Sequence, residues 1–148
     1  MNTGYMGFDL KEQKATILND GNDPWSTTTL GTVGLAVKNA MRVPEKTVNK
    51  YLYIESFAVS QNQVLASFEK ATGKKWEVIH VDGEERRKTG LEKMSQGDVF
   101  GGAGLLIQYM ACVHGNGGDY TKYQERANDL LSLPQESLDA VVGDILKH

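Results

Sequence analysis

Between Gln13 and Asp82 the chain alternates strand-like and helix-like patterns, and this order restricts the fold more than any other feature. It reads QKATILNDGNDPWSTTTLGTVGLAVKNAM and then NKYLYIESFAVSQNQVLASFEKATGKKWEVIHVD. Lys14 to Leu18 is a short strand, closed by the turn-forming run Asn19-Asp20-Gly21-Asn22-Asp23-Pro24. Hydroxyls in Ser26 to Thr29 can accept from the free amides of a helix start. Leu30, Val33, Val37, Ala40 and Met41 then recur at helical spacing, predicting a buried stripe, and Pro44 ends the helix. Tyr51 to Phe57 reads as a strand that is apolar on both faces, which suits a position covered on both sides. Ser60-Gln61-Asn62-Gln63 has the form of a capping box. The helix it opens turns Val64, Leu65, Phe68 and Ala71 inward and stops at Gly73. Trp76 to Val81 is a third strand. Strand, helix, strand, helix, strand implies parallel pairing through crossover helices.

The second half is different in character. Glu84 to Gln96 is a polar helix, and Asp98 can cap Val99 to His114, apolar around most of its circumference and so expected to be buried. Gly115-Asn116-Gly117-Gly118 is a loop. Pro134 suits the first turn of a last helix striped by Leu138, Val141, Val142, Ile145 and Leu146. With no repeat, low-complexity tract or linker, residues 1–148 read as a single α/β domain. It should hold a short, mainly parallel sheet of about three strands and about five to six helices.

Composition narrows the function classes. Of 148 residues 40% are hydrophobic and 24% charged, and the formal net charge is −3. No basic stripe could track a phosphate backbone, so nucleic acid is not an expected partner. Glu84-Glu85-Arg86-Arg87-Lys88, the densest charged run, reads as a solvated helix face. The single cysteine, Cys112, excludes an internal disulfide and suits a reducing compartment. No apolar run approaches the ~20 residues needed to span a bilayer, and MNTGYMGFDLKEQK has no secretory pattern. A cytoplasmic location is the expectation, with no membrane partner.

Four blocks carry a family likeness: GFDL (7–10), the DG…PWSTTTL…VG region (20–34), SQNQVL…FEKATGKKWEV (60–78) and LLSLPQESLDAVV (130–142). In this order and at natural spacing they resemble the C-terminal, substrate-side part of fungal NmrA-like proteins, relatives of the isoflavone reductase-like NAD(P)H-dependent reductases. The resemblance implies that a Rossmann nucleotide-binding half with a Gly-rich loop precedes such a segment. Here Gly101-Gly102-x-Gly104 and Gly115-x-Gly117-Gly118 do not fit G-x-G-x-x-G, so no cofactor is expected on this chain. The resemblance also implies that the Val99–Cys112 region helps to wall a substrate cavity. On that basis Tyr5, Met6, Phe8, Trp25, Phe100 and Leu105 are substrate-binding candidates.

Catalytic candidates are sparse. Cys112 and His114 lie two apart on a helix and point apart, and no metal-binding spacing is present, so no metal is expected. No Gly-x-Ser-x-Gly elbow exposes a serine. His80, sharing a strand face with Trp76 and Val78, could serve as acid or base, or simply be structural. His114 could act likewise or cap its helix C-terminus. Tyr109 completes the catalytic candidates. The closely spaced glycines of the apolar helix imply an approaching backbone or ligand, since each costs roughly 1 kcal/mol against alanine.

Three functions follow as expectations. The first is a cofactor-independent enzyme of secondary metabolism, of isomerase, cyclase or pericyclase type, closing a hydrophobic pocket around a small molecule. Because the chain begins at a methionine, the expectation is a natural short protein that covers its exposed surface by forming a homodimer. The alternative is a C-terminal fragment of an isoflavone reductase-like oxidoreductase, which would expose a large apolar patch. A non-enzymatic NmrA-like binding module is the third.

Overall fold

Lys14–Leu18 forms strand β2, and its Ala15, Ile17 and Leu18 are the most deeply buried residues of the sheet. The computed structural model describes residues 5–113, 115, 118–122 and 124–147, and the side chain of Tyr5 lies outside that description. Phe8–Asp9 (β1) runs antiparallel to β2, and Glu77–Val81 (β5) runs parallel to it. The three form one mixed sheet in the order β1-β2-β5. Trp25–Thr27 (β3) and Phe57–Val59 (β4) pair as a two-stranded sheet. The α-helices among the described residues are α1 Leu30–Ala40, α2 Pro44–Thr47, α3 Gln61–Thr72, α4 Gly83–Ser95, α5 Val99–Cys112 and α6 Leu138–Ile145. The small α/β class is as the sequence pattern requires.

By its contacts the chain divides into two compact units, where the sequence shows no linker. Met1–Trp25 and Val59–Gly118 make the first; Ser26–Ala58 and Asp119–His148 make the second.

In the first unit the core is aromatic. Phe8, Phe68 and Trp76 meet with ring centroids 5.7 Å (Phe8–Phe68) and 5.0 Å (Phe68–Trp76) apart, the latter pair stacked. Helix α3 is bounded as its sequence dictates. The Ser60 hydroxyl accepts from Gln63 N–H while Gln63 returns a carboxamide oxygen to Ser60 N–H, and Gly73 closes the helix at φ 66.

The second unit packs small residues. Ala36 of α1 meets Ala127 and Leu131, flanked by Ala40, Leu52, Ile54 and Leu133. Helix α1 is seated through its N-terminus: Thr29 and Thr32 hydroxyls donate to the Glu136 carboxylate at 2.9 and 2.7 Å, and the Ser56 hydroxyl joins them.

Four expectations change. Tyr51–Phe57 joins no sheet as a whole. Tyr53 makes an isolated parallel bridge to Arg126, Tyr51 is 94% exposed, and only Phe57 enters a strand. Its peptide groups find other partners, since the Asn128 carboxamide accepts from Glu55 N–H and donates to Glu55 C=O, as a neighbouring strand would. Apart from Ala40, which flanks the core, the α1 stripe faces water, with Leu30 89% and Met41 72% exposed, because the close contact is made by Thr32 and Ala36 on another face. Helix α5 buries only Gly102, Gln108 and Cys112. The last helix starts at Leu138 with Ser137 as N-cap, four residues beyond Pro134.

Candidate functional site

Helices α4 and α5 cross closely because glycine faces glycine. A Cβ on Gly102 would sit 2.5 Å from the Gly90 carbonyl oxygen and 2.4 Å from Met94 Cγ. One on Gly90 would press on Leu106 at 3.0 Å. Close helix packing therefore explains Gly102. Gly101 lies against Asp98, whose carboxylate accepts its N–H at 3.0 Å and also receives Lys93 Nζ at 2.9 Å. These two contacts, Lys93 first, hold the Asp98 carboxyl below its usual range. Gly104 is exposed and has nothing near it.

A second set of contacts ties α5 to the sheet. Gln108 Nε2 and Gln61 Nε2 both donate to the Thr16 carbonyl at 3.0 Å. Gln61, which is fully buried, also donates to the Met6 carbonyl at 3.0 Å and accepts from Leu18 N–H at 2.8 Å. The Gln61 amide thereby holds the turn Tyr5–Gly7, in which Met6 takes φ 57 and Gly7 φ 92. At Gly7 any Cβ would strike the Thr16 carbonyl oxygen at 2.3 Å, so the site admits only glycine.

With two faces so engaged, α5 presents a third to water. Phe100 is 94% exposed, and Val99, Ile107 and Met110 are also exposed. Phe100, Gly104, Ile107 and Ala111 fall along one line at helical spacing. This apolar face is the best candidate for a substrate-facing wall in the first unit.

The candidate residues disperse around it. Tyr109 is nine residues from Phe100, half a turn round the helix, and its hydroxyl donates to Glu84 on α4. That bond, with Arg87 adding to it, lowers the Glu84 carboxyl below its usual range. Leu105 and Met6 are half-buried. Phe8 and Trp25 are core residues. His80 is exposed, with Nδ1 3.0 Å from the Asn19 carbonyl oxygen. His114 lies outside the described residues, as does the Tyr5 side chain. Among the described residues no group of His, Cys, Asp and Glu gathers as a metal ion would require. A surface hollow of about 360 Å³ is lined by Glu69, Lys70, Gly73, Lys74 and Lys75, a charged rim rather than an apolar wall.

The sequence reading did not single out Gln61, Gln108 or Glu136, which organise both units. Gln61 sits inside the capping box, where its neighbours explained the pattern. Glu136 is one carboxylate in a polar stretch, and only the fold brings three hydroxyls to it. Glu55 was equally hidden: 4% exposed, it pairs with Arg126 at 2.8 Å.

The N-termini of α1, α3, α4 and α5 do not suit the pyrophosphate of a dinucleotide. Pyrophosphate binds where a helix N-terminus offers free amides. Here α3 is closed by its own capping box, and Asp82 and Asp98 carboxylates cap α4 and α5. At the N-terminus of α1 the Thr32 N–H donates to the Thr29 hydroxyl, which itself donates to Glu136. Carboxylates in those places would repel a phosphate.

The described residues form a small α/β unit, a short mixed sheet flanked by helices. No model of a known protein family matches the chain. It is 49% identical over 143 residues to oxidoreductase aprR of Aspergillus flavus, a match covering 97% of this chain and 48% of that protein. It is 27% identical over 146 residues to oxidoreductase poxI of Penicillium oxalicum, covering 96% of this chain and 46% of that one. A crystal structure of isoflavone reductase superposes with a TM-score of 0.68 at 25% identity, over 89% of this chain and 43% of that one. The chain thus spans about half the length of the relatives it matches. It resembles isoflavone reductase-like proteins over about half of their length. Among the described residues no helix is long and apolar enough to cross a membrane.

Proposed function

We propose that this chain is the substrate-side part of an isoflavone reductase-like oxidoreductase, completed by a nucleotide-binding half that supplies hydride from NAD(P)H. One observation carries the reading: 97% of the chain aligns at 49% identity with an oxidoreductase of which it spans 48%. The exposed apolar faces support it. Leu30, Val37 and Met41 on α1, and Phe100, Ile107 and Met110 on α5, stand in water. Covering such surface returns about 25 cal/mol per Å², so a partner surface stabilises it. In this reading the α5 face walls a site for an apolar small molecule, and the chain's own part is to bind and orient that molecule.

The test joins the chain in one polypeptide to the part of the aprR relative that the match leaves uncovered, proposed as the nucleotide-binding half. NADPH fluorescence should change on titration of the fusion and stay unchanged with the chain alone. A folded fusion that binds no NADPH contradicts the proposal. The cofactor-independent isomerase or cyclase remains the second reading; it requires an enclosed apolar chamber, and no separate observation favours it.

A further inference from the structure

Strand β5 lies at the edge of its sheet, and among the described residues it meets no strand but β2. Glu77 N–H donates to the Gln13 carbonyl at 3.0 Å, and the Val81 carbonyl accepts from Asn19 N–H at 2.9 Å. The odd-numbered residues of β5 therefore turn their peptide groups toward β2. In a parallel pair the intervening residues turn theirs the other way. Val78 and His80 thus offer N–H and C=O groups to the outside. Both faces of the strand are open as well: Glu77 through His80 are all exposed, Ile79 at 47%.

Edge strands are ordinarily protected by a lysine, a proline, a bulge or a covering element. EVIHV has no lysine or proline, and its one charge, Glu77, is tied to Lys14 at 3.0 Å. Such an edge is suited to strand addition.

We propose that β5 pairs antiparallel with β5 of a second copy of this chain, about a two-fold axis through Ile79. The register is fixed by parity. With Ile79 opposite itself, Val78 falls opposite His80 of the second copy, and both are outward-facing residues that can exchange two hydrogen bonds. Symmetry repeats the pair, giving about four backbone bonds. Ile79 meets Ile79 in the close, non-hydrogen-bonded position, where side chains touch most. Glu77 falls opposite Val81, so no like charges are placed directly across from one another. A shift by one residue would turn outward groups toward inward ones. The closed two-fold arrangement makes one six-stranded sheet from two three-stranded ones and removes the open edge. This inference stands on the first unit alone and does not depend on the reductase reading.

The test uses the full chain. Sedimentation should give about twice the monomer mass of 16.3 kDa at micromolar concentration. Across a non-hydrogen-bonded pair the Cα atoms lie about 4.5 Å apart, inside the disulfide range. Ile79→Cys, oxidised with copper phenanthroline, should therefore form a covalent dimer at least about tenfold faster than Leu91→Cys on exposed α4, because pairing raises the effective concentration. Cys112 is buried and does not compete. Val78→Pro deletes an outward N–H, leaves the β2 ladder intact and should shift the protein to monomer. A monomer at about 100 µM, equal cross-linking rates for the two cysteines, or a dimer unmoved by Val78→Pro would each overturn the proposal.

Discussion

Glu136 shows how much one residue can organise. Burial alone would raise its carboxyl, but hydroxyls from Ser56, Thr32 and Thr29 outweigh that, and the net shift is downward. A folded-state value below the unfolded one stabilises the protein above the unfolded value, near 4.3. That stabilisation is lost as pH falls through the folded value. Urea midpoints measured between about pH 3 and 6 should fall on acidification, and Glu136→Gln should flatten that fall. Glu136→Ala, which strands three hydroxyls in a half-buried place, should cost about 2 kcal/mol. Cys112 behaves in the opposite way: burial, with Asp23 adding to it, pushes its thiol up to about 12. A thiol reagent such as Ellman's should react with native protein far more slowly than with protein in urea, and equal rates would contradict this burial. Its inert packing was legible in the sequence, since it sits in an apolar run. Glu136 and Gln61 were not, because a polar residue's value here depends on partners about 45 to 107 positions away.

At the scale of elements, local chemistry was read well and orientation poorly. The capping box at Ser60, the Asp98 cap and the Gly73 stop depend on neighbours in sequence and appear as expected. Which face of α1 or α5 turns inward depends on what else is present. Periodicity finds an apolar stripe; it does not find the surface that covers it. Small residues decide the α4–α5 crossing, so two glycines of one helix should respond oppositely to alanine. Gly102→Ala forces the backbones apart and should destabilise by about 1–3 kcal/mol. Gly104→Ala meets nothing and should stabilise by about 1 kcal/mol, through helix propensity. Chemical denaturation of the two variants checks both signs. Tyr51–Phe57 makes the same point for strands: its doubly apolar pattern predicts a covered strand, while Tyr51 stands in water.

For the whole molecule, the features that the sequence pattern expects to be buried and the structure exposes share one account. In the proposed reading, the doubly apolar segment at Tyr51, the outward stripe of α1 and the bare face of α5 are each covered by a part of the protein outside this chain. Relatives about twice as long match it from end to end. The resemblance was visible in four spaced blocks, whereas a catalytic set was not: of the candidates, His80 meets Asn19 and Tyr109 meets Glu84, while His114 lies outside the described residues. Hydrogen exchange along α1, compared between the chain alone and the chain fused to the part of the aprR relative that the match leaves uncovered, tests this account most directly. Amides of residues 30–41 should exchange at least about tenfold more slowly in the fusion, since docking an apolar face adds more than about 1.4 kcal/mol to local stability. Unchanged exchange there, in a fusion that folds, would mean that α1 faces water by design and that the missing-cover account is wrong.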